Sequence, residues 1–338
     1  MKILFIGGTG TISASISRRL IAEKHELYLL NRGNQSHLLP QGAISLCSDI
    51  NNENNVSELI RDLEFDCVVD FIAYTPEHLE RDYRLFKGKT RQFIFISSTS
   101  AYQKPLSDYR VSEATPLANP YWQYARDKIA CEEYLTRLYR EEGFPITIVR
   151  PSYTYCERAV PLAVKGANGS WQVIKRMLEG KPVIIQGDGT SLWTMTHADD
   201  FARAFVGLIG NIRTLGEAVQ ITSDETLTWN QIYECIARAL NVPLRSVHVS
   251  SDFLIASGVH PFRDGLLGDK SVSVVFDNTK LKRLVPGFTA SIRFDQGIKA
   301  TIDYLLAHPE CQQEDPAFDA WCDRLISILE QAAAAIKA

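Results

Sequence analysis

The first twenty residues constrain the fold more than any other stretch. KILFI (2–6) is a short, nearly continuous apolar run. GGTGTIS (7–13) follows it, and Ile12, Ile16 and Leu20 then recur every four residues. An apolar run, a glycine turn and a helix face, in that order, predict strand, turn and helix. Unbroken apolarity, rather than alternation, marks a strand covered on both faces. The theme repeats in ELYLL (26–30), DCVVDFI (66–72), QFIFIS (92–97) and PITIVR (145–150), the last after a helix predicted over about 122–142. Strands that alternate with helices give a parallel sheet sandwiched between helices.

Right-handed crossovers then make this an α/β, Rossmann-type doubly wound sheet, with ligands at the carboxyl ends of its strands. Gly7, Gly10 and Ser13 fall at the spacing Gly-x-x-Gly-x-x-Gly, with serine in the third place. The first glycine allows a tight turn, the second a close approach of pyrophosphate, and the third a close helix–strand contact that serine tolerates. Free N–H groups at a helix start bind phosphate. Gly7, Gly8, Thr9, Gly10, Thr11 and Ile12 are therefore the predicted cradle of a dinucleotide. The plain alternative is a structural turn.

The second strand ends in Asn31 and Arg32, where a carboxylate usually clamps the ribose hydroxyls. Arg32 can fork onto a 2′-phosphate with no acid opposing it, which favours NADP over NAD. A solvated loop charge is the other reading. Asp49 and Ile50 follow the third strand, either flanking the adenine or, for Asp49, capping a turn.

The second half is less regular. NGSWQVIKRMLEGKPVIIQGDGTS reads as helix, turn, strand, turn; EAVQIT (217–222) is a further strand candidate. Helices are predicted over 228–240, 294–308 and from Pro316 to the end. These assign 1–155 plus about 190–222 to the dinucleotide domain. About 156–189 plus 223–338 form a smaller, mostly C-terminal α/β substrate domain.

A formal charge of −4 supplies no field for gathering polyanions, so nucleic-acid binding is disfavoured. Seven scattered cysteines with no Cys-x-x-Cys read as reduced thiols in a cytoplasm. No His–Cys cluster has metal-ligand spacing. The opening MKILFIGG lacks the longer apolar core and cleavage site of a signal peptide, and no run of about 18 apolar residues spans a membrane.

Tyr124 and Lys128 sit in YWQYARDK. Positions four apart share a helix face, and with thirteen tyrosines the pair alone is weak. Its setting is stronger. FISSTSAY, SEATPLANPY, YARDK, RPSYTY and GDGTSLWTMTHADDFARAF follow GGTGTIS in order. In that ordered set the chain resembles the extended short-chain dehydrogenase/reductase family, of NAD-dependent epimerase/dehydratase type, over roughly 1–310. The resemblance implies that Tyr124 is the general acid/base. Lys128 binds the nicotinamide ribose and lowers the tyrosine pKa, and Ser98 hydrogen-bonds the reacting oxygen. It places Phe71, Ile72, Ala73, Pro151 and Ser152 beside the cofactor. Tyr74, Thr99, Ser100, Tyr153 and Trp193 would line the substrate, although several of the aromatics have core as their alternative. A homodimer through the Tyr124 helix is the family's common arrangement.

Three departures narrow the reading. Ser98, Thr99 and Ser100 stand where the family's 4,6-dehydratases carry Thr-Asp-Glu, so the acids for eliminating water are missing. Trp193 stands where sugar-nucleotide enzymes place a diphosphate-gripping arginine. A second such arginine is absent before LLGDKSVSVVFD, with Arg263 upstream as either a substitute or a loop charge. The expected activity is that of an NAD(P)-dependent oxidoreductase or epimerase, moving a hydride between a nicotinamide and a hydroxyl- or carbonyl-bearing carbon of a small molecule, with a sugar or sugar-nucleotide-like substrate open and its diphosphate grip altered. The competing reading is a non-catalytic dinucleotide-binding regulator or an RNA-binding relative.

Overall fold

The computed structural model describes residues 1–34, 39–258 and 260–337. Strands β1 (Lys2–Ile6), β2 (Glu26–Asn31), β3 (Ile44–Cys47), β4 (Cys67–Asp70) and β5 (Phe93–Ile96) join Ile146–Pro151 and Ala218–Ile221 in one seven-stranded sheet. From one edge the order is Ala218–Ile221, Ile146–Pro151, β5, β4, β1, β2, β3, and each of these pairings is parallel. Leu4 of β1 is in register with Tyr28 of β2 on one side and Val68 of β4 on the other. The strand order reverses between β1 and β4. A sheet of this kind opens a crevice for ligands there, at its carboxyl edge.

Alternation along β1 explains how both faces are covered. Ile3 and Phe5 enter one core with Ile16, Leu20, Phe201 and Phe205. Leu4 and Ile6 enter the other with Val68, Phe93, Phe95 and Leu135. All four β1 side chains are 0% exposed. Each such burial contributes about 1.5–3 kcal/mol, so the apolar run is stable only with helices on both sides. Helices α1 (Thr11–Ala22), α2 (Glu53–Leu59), α3 (Pro76–Phe86) and α4 (Gln123–Glu142) are among those that supply them.

The chain divides into two compact units. The first comprises Met1–Thr154, Thr196–Asp224 and Phe276–Ser291; the second comprises Tyr155–Met195, Glu225–Val275 and Ile292–Ala338. The assignment of 223–338 to one block is thus corrected at Phe276–Ser291. That segment returns to the first unit because Leu281 and Phe288 complete the core around Ile16 and Phe205.

In the second unit, strand Val183–Gln186 pairs in parallel with Ser246–Val249, and Leu192–Trp193 pairs antiparallel with Leu227–Thr228. Helix Trp229–Ala239 starts in a capping box. The Thr228 hydroxyl accepts the Gln231 N–H at 3.1 Å, and the Gln231 side chain accepts the Thr228 N–H at 2.9 Å. Arg176, wholly buried, joins helix Trp171–Leu178 to Asp319 and Asp323 of helix Pro316–Lys337 at 2.6 and 2.8 Å. Among the described residues, no helix is long and apolar enough to cross a membrane, and all seven cysteines are free thiols.

Candidate active site

All the geometry that follows lies within the first unit unless stated. The β1–α1 turn holds Gly7 at φ +90° and Gly8 at φ +136°, conformations that L side chains rarely adopt. A Cβ on Gly8 would sit 2.8 Å from Leu29 Cδ2, and one on Gly7 would sit 3.1 Å from Ile72 Cγ2. Gly10 is different. Its φ of −80° is open to any residue, and a Cβ there would meet only Ser13 Oγ, at 3.5 Å. Nothing within the chain demands glycine at that place, so the open space fits a ligand. Helix α1 begins immediately afterwards with no acid in its first turn, which leaves its positive end available to an anion. Ser13 Oγ accepts the Gly10 N–H at 2.9 Å, so the serine in the third glycine's place fastens the turn.

Beside this turn lies a cavity of about 450 Å³, lined by Gly7, Thr9, Asn31, Arg32, Ser48, Asp49, Ile50, Asn51 and Ile72 among others. The Asn31 side chain bends back to accept the Gly33 N–H at 2.9 Å. Arg32 is exposed. Asp49 caps its own turn, accepting the Asn51 N–H at 2.9 Å. Ile50 is 6% exposed, while Ile72 is 41% exposed.

Lys128 is fixed from three sides. Its Nζ donates to the Ala73 carbonyl and to the Ile96 carbonyl, both at 2.7 Å. It stands 4.6, 4.8 and 5.7 Å from the ring centres of Phe95, Tyr74 and Tyr124. Burial pulls its pKa down to about 8. Two of the three ammonium protons are held by the protein, and one remains for a ligand. Helix α4, which carries both Tyr124 and Lys128, is tied to strand Ile146–Pro151 by Glu132. Arg150 donates to that carboxylate at 3.0 and 2.6 Å, and Ser97 at 2.5 Å.

Tyr124 is half-buried, its ring 5.0 Å from that of Trp122 and 6.2 Å from that of Tyr74. Ser98 Oγ accepts from the Ser100 N–H at 3.1 Å and the Ser100 hydroxyl at 2.9 Å. Both contacts use Ser98 Oγ as acceptor, which leaves its own proton to donate.

The structure corrects three expected substrate-lining residues. Thr99 and Ser100 are 4% and 1% exposed; the short helical turn Thr99–Ala101 folds them behind Ser98, where Ser100 orients it. Trp193, in the second unit, is 1% exposed with its ring stacked 6.1 Å from Trp229, so it is a core residue. Tyr74, at 48% exposure, and half-buried Tyr153 remain at the surface of the first unit. Phe71 packs on Phe5 at 4.9 Å. Pro151 is buried, and the Ser152 hydroxyl meets that of Thr196 at 3.0 Å. Sequence reasoning missed Glu132, Arg150 and a buried cluster of Asp70, Arg81 and Asp82. Arg81, Asp82 and Glu132 lie on helices, where charged residues read as solvated faces, while Asp70 and Arg150 stand near strand ends, where no local signal marks a buried partner.

The glycine turn, the open space at Gly10, the cavity and the spare Lys128 proton together fit a dinucleotide. The model of the family described as "NAD dependent epimerase/dehydratase family" matches residues 3–221. The 2'-dehydrokanamycin reductase of Streptomyces kanamyceticus is 27% identical, with 85% of this chain and 80% of that protein covered. The chloroplast stem-loop binding protein of 41 kDa b of Arabidopsis thaliana is 26% identical over 72% of this chain and 64% of its own. The solved UDP-glucuronic acid 4-epimerase of Bacillus cereus, in complex with NAD, has the same fold. Its TM-score is 0.71 at 21% identity, with 91% of this chain and 99% of that one covered. The chain belongs to the NAD dependent epimerase/dehydratase family, and is an NAD(P)-dependent enzyme of it.

Proposed function

We propose that the protein is an NADP-preferring reductase, or the reverse dehydrogenase, of a ketone or alcohol on a sugar that carries no nucleotide. The observation that carries the redox part is Lys128: a buried ammonium, clamped by two carbonyls, beside the Tyr124 ring. A buried cation next to a phenol stabilises negative charge as it develops on the phenol oxygen. Tyr124 then gives its proton to the substrate oxygen, and Ser98 steadies that oxygen with its hydroxyl proton. A bound nicotinamide would supply the hydride. Gly7, Gly8 and Gly10 would hold the pyrophosphate, and the spare Lys128 proton the ribose.

Two observations support the cofactor preference. Asn31 spends its side chain on its own loop, and Arg32 is exposed at the same cavity. The relative that acts on 2'-dehydrokanamycin, with Trp193 where the family's diphosphate arginine stands, supports a substrate without a nucleotide. The test is NADPH oxidation with keto-sugars and keto-glycosides against UDP-glucose and UDP-N-acetylglucosamine. UDP-hexose turnover near the enzyme median of about 10 per second would overturn the substrate class.

The second reading, RNA binding, is favoured by the stem-loop binding relative and opposed by the net charge of −4. Salt-sensitive retention of structured RNA, without any carbonyl reduction, would favour it.

A further inference from the structure

Asp70 closes β4 and is wholly buried. Its Oδ1 accepts the N–H groups of Ile72 and Ala73 at 2.5 and 2.7 Å. The turn after β4 is thus wound around one carboxyl group. That turn carries Ile72, which lines the cavity, and the Ala73 carbonyl, which takes Lys128.

Asp82 of α3 is also wholly buried. Its Oδ1 accepts from Arg81 Nε at 2.9 Å and Nη2 at 2.7 Å. Arg81 Nη1 reaches across to Asn51 Oδ1 at 2.8 Å, and Asn51 also lines the cavity. One cluster therefore connects a cavity wall to the carbonyl that holds Lys128.

The remaining oxygens do not balance. Asp70 Oδ2 and Asp82 Oδ2 are both buried, and neither receives a donor. Arg81 Nη2 stands 3.6 Å from Asp70 Oδ2, beyond a good hydrogen bond. The two carboxyl groups converge on that one nitrogen, which stands 2.7 Å from Asp82 Oδ1. Two carboxylates against one guanidinium would leave a buried negative charge and two orphaned acceptors, each costly. A single proton removes both problems.

We propose that Asp70 and Asp82 share one proton between their Oδ2 atoms, and that this pair, locked by Arg81, is a positioning device for Lys128 and the cofactor cavity. Burial and the Asp70 charge push the Asp82 carboxyl well above its ordinary value, in keeping with this. Lys128 and Cys131 of α4 are the other titratable groups whose fields reach Asp70. The shared proton lets Asp70 keep its grip on the turn without setting a second charge beside them. The positioning role rests on the reading of Lys128 given above; the shared proton does not.

Asparagine imitates the proton. In Asp82→Asn the amide N–H donates to Asp70, while the amide oxygen still accepts from Arg81. In Asp70→Asn the sense is reversed. The double variant sets two donors face to face. The test measures NADPH affinity and turnover for both single variants, the double variant and Lys128→Met, with an infrared spectrum of the carboxyl region at neutral pH.

A protonated carboxylic acid band is expected in the wild type and absent from each single variant. Each single variant should bind NADPH about as the wild type does. The double variant should lose about tenfold or more beyond the product of the singles. No acid band in the wild type, or one that persists in both single variants, would overturn the shared proton. A Lys128→Met variant with full turnover would overturn the catalytic reading and leave the infrared result standing. Loss of turnover in Lys128→Met, with a double variant that keeps full affinity and turnover, would overturn the positioning role.

Discussion

Replacing Lys128 by methionine should uncouple stability from function in a pH-dependent way. The folded protein holds this ammonium at a pKa of about 8, against 10.5 in the open chain, because burial strips its water. Below about pH 8 both states carry the proton, and burying the charge costs the native state about 3 kcal/mol. Above it the folded state sheds the proton and the unfolded state keeps it. The unfolded state then binds more protons, so stability rises with pH. The wild type should therefore gain about 2 kcal/mol over Lys128→Met between about pH 6 and about pH 9.5. At neutral pH the variant recovers the charge-burial cost but orphans the Ala73 and Ile96 carbonyls, each worth about 1–3 kcal/mol. The terms nearly cancel, so the variant should fold normally. Urea denaturation at a series of pH values, comparing the two proteins, measures the difference. A gap that stays constant across the range would show that Lys128 titrates as an ordinary exposed lysine, and the account of the site would fail.

Tyr124→Phe removes one hydroxyl from a half-buried ring and should lower the catalytic rate by about 10²–10⁴-fold with the fold intact; steady-state kinetics at saturating NADPH would show wild-type turnover if the tyrosine were only a helix-surface residue. Arg32→Ala should weaken NADPH binding by about 1–3 kcal/mol, the value of a charge-assisted contact, while leaving NADH unchanged. Fluorescence titration with both dinucleotides checks it, and equal losses for the two would refute the 2′-phosphate contact.

The fold was legible because strands covered on both faces write themselves as apolar runs, and β1, β2, β5 and Ile146–Pro151 lie within a residue or two of those runs. The glycine turn was legible in spacing but not in where its strain falls. Gly8, inside the motif, carries the most unusual φ and the tightest approach to Leu29, while Gly10 is conformationally ordinary. The lining residues were read less well. The family resemblance placed Thr99 and Ser100 along the substrate, yet a single helical turn buries them. Arg81 and Asp82 were invisible for the opposite reason. PEHLERDYRLF reads as a charged surface helix, yet Arg81 and Asp82 are buried, with Arg81 reaching Asp82, Asn51 and the neighbourhood of Asp70.

The departures point in a consistent direction when weighed by energy. A nucleotide-sugar enzyme holds its substrate largely by the diphosphate, and each charge-assisted contact from an arginine is worth about 1.5–3 kcal/mol. Losing two such contacts costs a factor of roughly 10²–10⁴ in affinity. Here the centre is in order: Lys128 is clamped, Ser98 is oriented by Ser100, and helix α4 is pinned through Glu132 and Arg150. Trp193, meanwhile, is stacked on Trp229 in the core of its unit, where it serves packing. An ordered reacting centre without the diphosphate grip supports the proposed substrate without a diphosphate. Restoring the grip gives the decisive comparison. Trp193→Arg would bury an unpaired guanidinium in an aromatic core and should destabilise the unit by several kcal/mol rather than create a UDP-sugar enzyme. A stable Trp193→Arg variant that gains UDP-hexose turnover would show that the missing arginine, and not the substrate, had been misjudged.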